Sequence, residues 1–242
     1  MARRKRRRWG WVLLVAAVWL VASMFGDHSG SAPARATGHR HATRSVPPVD
    51  VPAVHARALI DGLAVRPRPH GTQGYDRDAF GSAWADTDHN GCNQRDDVLL
   101  RDSVPSSTRV ARQGACDHDV LAGTWHDPYT GRTLQFNDLK ALGQAEAIQI
   151  DHVVPLAEAW VSGAAAWSAD RRETFANDLT ELLAVDGPTN MSKGDGHPAA
   201  WRPRAAYQCT YAERWVAVKT RWHLAVDPAE RSALVEMLGS CR

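Results

Sequence analysis

The hydrophobic positions of this chain change character twice. Trp9 to Phe25 is an unbroken, uncharged run of seventeen residues, and it follows six basic residues, Arg3 to Arg8. From Asp27 to about Ala53 large apolar residues almost vanish among Ser, Ala, Pro, Arg, His and Thr, a composition that cannot bury a core and reads as a disordered tether. Beyond it apolar residues return in patterned segments. "VHARALIDGLAV" predicts a short helix. "YDRDAFGSAWADTDHNGCNQRDDVLLRD" reads as a helical turn and a polar loop. "DVLAGTWHDPYTGRTLQF" alternates about "DPYTG" and predicts a β-hairpin.

"AIQIDHVVP" continues as a strand that Pro155 ends, "LAEAW" opens a helix, and "SADRRETFAND" is a second helix with Ser168 as its N-cap. "LTELLAV" is the next strand, followed by a turn at "DGPTN" and a short helix from "MSK". Tyr211, Trp215, Val218 and Trp222 recur at helical spacing, which makes the tryptophans core anchors. Asp227, Pro228 and Glu230 then spell a capping box for a last helix that Gly239 stops.

The basic and apolar start has the layout of an export signal, and Ala34-Arg35-Ala36 fits a cleavage site. Seventeen apolar residues also approach the length of a membrane span, so residues 1–36 are a signal peptide or an anchor. Residues 37–53 are then the linker and 54–242 the folded body, secreted or held on the outer side of the membrane. Any membrane contact is expected only through an uncleaved N-terminal segment, and the body is expected to be a monomer. Residues 1–36 carry seven positive charges and one negative. The formal net charge of +2 therefore becomes about −4 for the rest, which excludes a global field for coating nucleic acid. Four cysteines, with no C-x-x-C pair, favour two disulfides over zinc in an exported chain. Three pairings are possible. Antiparallel C-terminal helices bring Cys209 near Cys241, which favours that pair and Cys92–Cys116.

Asp151 and His152 stand side by side where a strand ends, and Asn177, Asn190 and Lys193 follow. A turn with Asp151 as a helix cap is the bland reading. The chemical reading divides labour: Asp151 and the Asn190 carbonyl are hard oxygen ligands for Mg²⁺, while His152, on the other side of the strand, is free to take a proton from water. Phosphodiester cleavage needs such a base and such a cation.

"DHVVPL…ND…TNMSKGD" resembles the HNH, or ββα-metal, endonuclease motif. The longer run through "YDRDAFGSAWADTDHNGC", "YTGRTLQF" and "RWVAVKTRW" is similar to exported bacterial members of that family over most of residues 72–242. The resemblance implies an α+β fold with a ββα-metal core at about 148–195, an added N-terminal hairpin region and C-terminal antiparallel helices. It implies His152 as general base, Asp151 and Asn190 as ligands of Mg²⁺ or another divalent cation such as Mn²⁺, and Asn177 orienting His152 or its loop. Lys193 would face a phosphate, and the substrate would be DNA, with RNA as a further candidate. Asn190 stands where many members have His, zinc-stapling CxxC pairs are missing, and the longer spacing to Asn190 makes Asp178 a rival of Asn177.

Outside the motif, Asp86, Asp88, Asn90, Gly91 and Asp97 fall at positions 1, 3, 5, 6 and 12 of a calcium loop, though position 12 is Asp and not Glu. A polar loop pinned by Cys92 is the plainer reading, and a structural Ca²⁺ the sharper one. Arg202, close after the motif, is a candidate phosphate contact, with Arg171, Arg172, Arg204, Lys219 and Arg221 behind it. Trp201 in "HPAAWRP" is expected to anchor a loop closing the site, and Glu158 to be solvated or to reach the metal through water. The rivals to a nuclease are an envelope-tethered binding protein on an inactive HNH scaffold and a calcium-stabilised envelope protein. The intact Asp151, His152, Asn190 and Lys193 argue against the first.

Overall fold

A computed structural model describes residues 53–241; the expected export segment and all but the last residue of the expected linker lie outside the described residues. The strand read at "IQIDH" is β4 in chain order, Ile148–His152, and it pairs antiparallel with β5, Leu182–Asp186. Ile150 stands opposite Ala184 and Asp151 opposite Leu183. Two strands alone are marginal in water, and this pair is covered on both sides. Because side chains alternate, Ile148, Ile150, Leu182 and Ala184 enter one core with Val98, Leu99, Val120, Trp125, Leu134 and Phe136. Leu183 and Val185 enter a larger core built mainly from helices.

The first core is closed by a three-stranded antiparallel sheet, β1 (Arg109–Gln113), β2 (Cys116–His126) and β3 (Thr133–Phe136), in that order. The expected hairpin is β2–β3. Helix α2 (Gln94–Asp102) lies where only a helical turn and a loop are read from the sequence, and strand β1 falls in residues 103–118, where no element is read. Asn93 caps α2 by accepting from Asp96 N, and α2 is bolted to β5: Arg101 donates to the Leu179 and Leu182 carbonyls, and Ala184 N donates to Asp102 at 2.9 Å.

The second core gathers α1 (Ala53–Gly62), α4 (Leu156–Ser162), α5 (Ala169–Ala176, capped by Ser168), α7 (Gln208–Trp222) and α8 (Pro228–Gly239). A one-turn helix α3 (Gln144–Ala147) leads into β4, and α6 (Gly187–Lys193) follows β5 directly. Helix α6 begins four residues earlier than "MSK": Asp186 accepts from Thr189 N and Oγ1, and Pro188 sits in the first turn, where its missing N–H costs nothing. The capping box of Asp227 and Glu230 forms as read, and Gly239 is the last residue of α8. The protein is thus a mixed α+β fold with small antiparallel sheets. No helix among the described residues is long and apolar enough to cross a membrane.

The cysteines form Cys92–Cys116, joining the loop before α2 to β2, and Cys209–Cys241, joining the start of α7 to the end of α8. Glu158 and Lys219 are neither solvated nor turned to a ligand. The Lys219 ammonium is buried between Glu158 (2.9 Å), Glu230 (2.7 Å) and the Ala225 carbonyl, and Arg68 pairs with the other oxygen of Glu158. A buried lysine needs such partners, because desolvating an unpaired charge is prohibitive.

Candidate active site

The order β4, β5, α6 places side chains of the helix against one face of β4. Gln149 and Asp151, two apart on the strand, point the same way. Asn190 and Lys193, three apart on the helix, lie on one helical face. The two periods match: Asn190 Nδ2 donates to Gln149 Oε1 at 3.0 Å, and Lys193 Nζ donates to Asp151 Oδ1 at 2.8 Å and to the His152 carbonyl at 2.7 Å. Asp151 Oδ2 accepts from the hydroxyl of Tyr129. Asp151 is therefore not a helix cap; the residue ahead of α4 is Pro155, and no backbone N–H among the described residues meets this carboxylate.

Tyr129 arrives from the "DPYTG" turn. Asp127 fixes that turn to β5, accepting from Asp186 N at 3.1 Å and from Thr130 N at 2.8 Å. The Tyr129 ring packs against Trp201, Tyr207 and Tyr211, so Trp201 anchors its loop as expected. Burial, then the neighbouring Asp151 charge, pushes the Tyr129 phenol well above its ordinary pKa, so it stays a donor. Burial pushes the Asp151 carboxyl up, against the pull of Lys193 and Tyr129. Glu181 and Tyr211 lie in the same buried region. Val154 N donates to Glu181 Oε1, while Glu181 Oε2 and the Tyr211 hydroxyl have no hydrogen-bond partner among the described residues.

His152 takes the opposite side. Its ring lies parallel to Trp84, centroids 6.0 Å apart, and Nε2 meets the Ala176 carbonyl at 2.9 Å. A carbonyl only accepts, so Nε2 carries the proton and Nδ1 keeps its lone pair. Burial, with help from Arg77 and Lys193 and against the Ala176 bond, lowers the imidazole pKa to about 3. The ring is neutral at physiological pH.

Asn177 acts on the loop. It ends α5, and Nδ2 donates to the Glu173 carbonyl at 3.0 Å and to the Ser82 carbonyl at 3.2 Å, two residues before Trp84. Its rival Asp178 is occupied elsewhere, accepting from Thr180, Trp222 and Arg221. Two expected phosphate contacts are placed differently. The Lys193 side chain is 0 % exposed and spent on Asp151, because an ammonium buried beside a carboxylate has no better partner. Arg202 donates to the Pro198 carbonyl and to Glu236.

By type, Asp151, Asn190 Oδ1 and Gln149 Oε1 are the oxygens a hard divalent cation takes; Gln149 Oε1 also accepts from Asn190, and Asp151 is paired with Lys193 and Tyr129. Each Asp151 oxygen accepts one bond and has a second lone pair. Tyr129, Trp84 and Gln149 are absent from the motif as read. Only Gln149 had a signal, its i, i+2 spacing from Asp151; the other two reach the site from loops distant in sequence.

Residues 93–237 match the family model described as GmrSD restriction endonucleases, C-terminal domain. A protein of Arthroderma benhamiae, described as an uncharacterized secreted protein, is 42 % identical over 199 residues, covering 80 % of this chain and 89 % of the relative. That relative is fungal, whereas the motifs lead to the expectation of a bacterial protein. No solved structure matches the chain. The family match runs over more than half of the chain and takes in β4, β5, α6, Tyr129, Asp151, His152, Asn190 and Lys193, with Trp84 ahead of it: the chain belongs to the GmrSD restriction endonuclease C-terminal domain family.

Proposed function

We propose that the protein is an exported, metal-dependent endonuclease of the HNH type that hydrolyses phosphodiester bonds of DNA, with RNA as a second substrate class. The observation that carries the reading is His152. It is a neutral imidazole whose proton is committed to the Ala176 carbonyl, leaving Nδ1 as a base, beside a carboxylate in a strand–strand–helix unit. Membership of a restriction-endonuclease family supports the reaction class, and the secreted relative and the two disulfides support export.

In this reading Nδ1 takes a proton from water, the water oxygen bonds to phosphorus, and the bond to the leaving oxygen breaks. The low basicity that burial imposes on His152 rises as a phosphate anion approaches, since a nearby negative charge favours the imidazolium. Asp151 and Asn190, with Gln149 beside them, would hold the divalent cation, Mg²⁺ or Mn²⁺. When bound, it supplies charge neutralisation at the phosphate and leaving oxygen. Lys193 and Tyr129 orient Asp151, and Asn177 steadies the loop behind His152.

Supercoiled plasmid incubated with purified residues 37–242 tests this. Cleavage is expected with Mg²⁺ and not with EDTA, and His152→Ala should lower the rate about 10²–10⁴-fold while the fold and DNA binding survive. Wild-type turnover by the variant would remove His152 from the chemistry.

A further inference from the structure

The loop of residues 86–97 carries chemistry that phosphodiester cleavage does not use. Asp88 and Asp97 converge on a single side-chain amide: Asn90 Nδ2 lies 3.2 Å from Asp88 Oδ2 and 2.9 Å from Asp97 Oδ1. Asp86 closes the loop by accepting from Asn90 N and Gly91 N at 3.1 and 3.0 Å. Gly91 has φ +93°, a backbone that a side chain disfavours, and an added Cβ would stand 2.8 Å from the Ala115 carbonyl oxygen. These features define a tight loop but do not by themselves require a ligand.

Asp97 does point to one. It lies in the first turn of α2, its side chain is 9 % exposed, and its carboxylate is turned into the loop. Oδ1 is satisfied by Asn90 and by His118 at 2.7 Å, whereas Oδ2 is buried with no hydrogen-bond partner among the described residues. A buried carboxylate oxygen left unmatched is costly. The same carboxylate meets Asn90 Nδ2 through Oδ1, and that amide also contacts Asp88, so the unmatched oxygen belongs to a group seated in the acidic cluster; the Asn90 amide oxygen there accepts from Cys92 N at 2.7 Å.

We propose that Asp86, Asp88, Asn90 and Asp97 form a Ca²⁺ site that braces the loop carrying Trp84 against His152. All four donors are hard oxygens at positions 1, 3, 5 and 12 of the loop, with the glycine at 6, and the last comes from the helix that follows. Ca²⁺ fits better than Mg²⁺, because an irregular set of carboxylate and amide oxygens suits its longer, less regular coordination and Mg²⁺ dehydrates reluctantly. Such a cation would act beyond the loop. Trp84 lies two residues before Asp86, and Thr87 donates to the Asn177 carbonyl and accepts from Gln94. The Cys92–Cys116 disulfide pins the other end.

The test is melting and tryptophan fluorescence of the purified protein titrated with CaCl₂ against a background of MgCl₂, so that no cleavage is needed for the readout. The wild type should gain about 5 °C in melting temperature at millimolar Ca²⁺, a shift that excess Mg²⁺ does not reproduce. Asp88→Asn, at an exposed position and with an oxygen kept to accept from the Asn90 backbone, should fold and lose at least about tenfold in Ca²⁺ affinity. Asp151→Asn should keep the Ca²⁺ shift relative to its own baseline, which separates this site from the one on β4. No Ca²⁺ shift in the wild type, an undiminished shift in Asp88→Asn, or a shift abolished by Asp151→Asn alone would each overturn the proposal.

Discussion

The Lys193–Asp151 pair decides how the candidate active site is held together. Both groups are buried, so their attraction is offset by desolvation, and the pair is worth far less than the penalty for breaking it. Lys193→Met should therefore cost about 3–5 kcal/mol by stranding Asp151, and adding Asp151→Asn should return much of that loss. Chemical denaturation of the four proteins of this cycle checks it; additive losses would mean that the two charges do not interact. Glu181 offers a test with a sign. Burial, the dominant effect, raises its carboxyl well above the ordinary range, so the folded protein binds this proton more tightly than the unfolded chain does. The stability it contributes is present below the unfolded value and is lost as pH rises from there towards the folded one. Glu181→Gln removes the titration while keeping an acceptor for Val154 N. The variant should gain stability relative to wild type at pH 8, with the gain shrinking towards pH 4. Equal differences at both pH values would show that Glu181 carries no raised pKa.

At the scale of elements, the turn between β2 and β3 is as much part of the site as β4. Its "DPYTG" sequence announces a hairpin but not what the hairpin holds. Asp127 ties the turn to β5, and only then does Tyr129 reach Asp151. Asp127→Ala, which strips the N–H groups of Thr130 and Asp186 of their acceptor, should cost about 2–4 kcal/mol. It should also shift the Mg²⁺ dependence of cleavage to higher concentration, as Asp151 loses a fixed position. Tyr129→Phe keeps the turn and should reproduce the second effect with little of the first; an unchanged Mg²⁺ curve in both would exclude Tyr129 as a positioning residue. The legibility of the fold follows the same division. Elements announced by local chemistry were readable: the Ser168 cap of α5, the Asp227 capping box, the alternation in β2–β3 and the proline ending the strand at Asp151–His152. Helix α2 was not, because only four of its nine residues are buried and two of those are Gln94 and Asp96, so it shows little apolar stripe. Strand β1, "RVARQ", has no buried residue at all. Within the site, the spacing of Asn190 and Lys193 was legible but the direction of Lys193 was not. That depends on a carboxylate brought 42 positions away in sequence to the same face.

For the molecule as a whole, the two disulfides do different work. Each closes a loop and so restricts the unfolded chain, and removing either is expected to cost about 2–5 kcal/mol. Cys209–Cys241 ties α7 to α8 within the helical core, whose interior is already braced by Lys219 between Glu158 and Glu230. Cys92–Cys116 instead ties the acidic loop to β2, and from that loop Trp84 reaches His152 while α2 reaches β5. Replacing Cys209 and Cys241 together with serine should lower the melting temperature yet leave cleavage per folded molecule near that of the wild type. The same replacement at Cys92 and Cys116 should lower the melting temperature comparably and in addition reduce cleavage, because the stack on His152 loses its anchor. Rates measured well below each variant's melting temperature separate the two effects. If both double variants cleave like the wild type, the loop of residues 84–97 has no hold on His152, and the two bridges are equivalent staples of the fold.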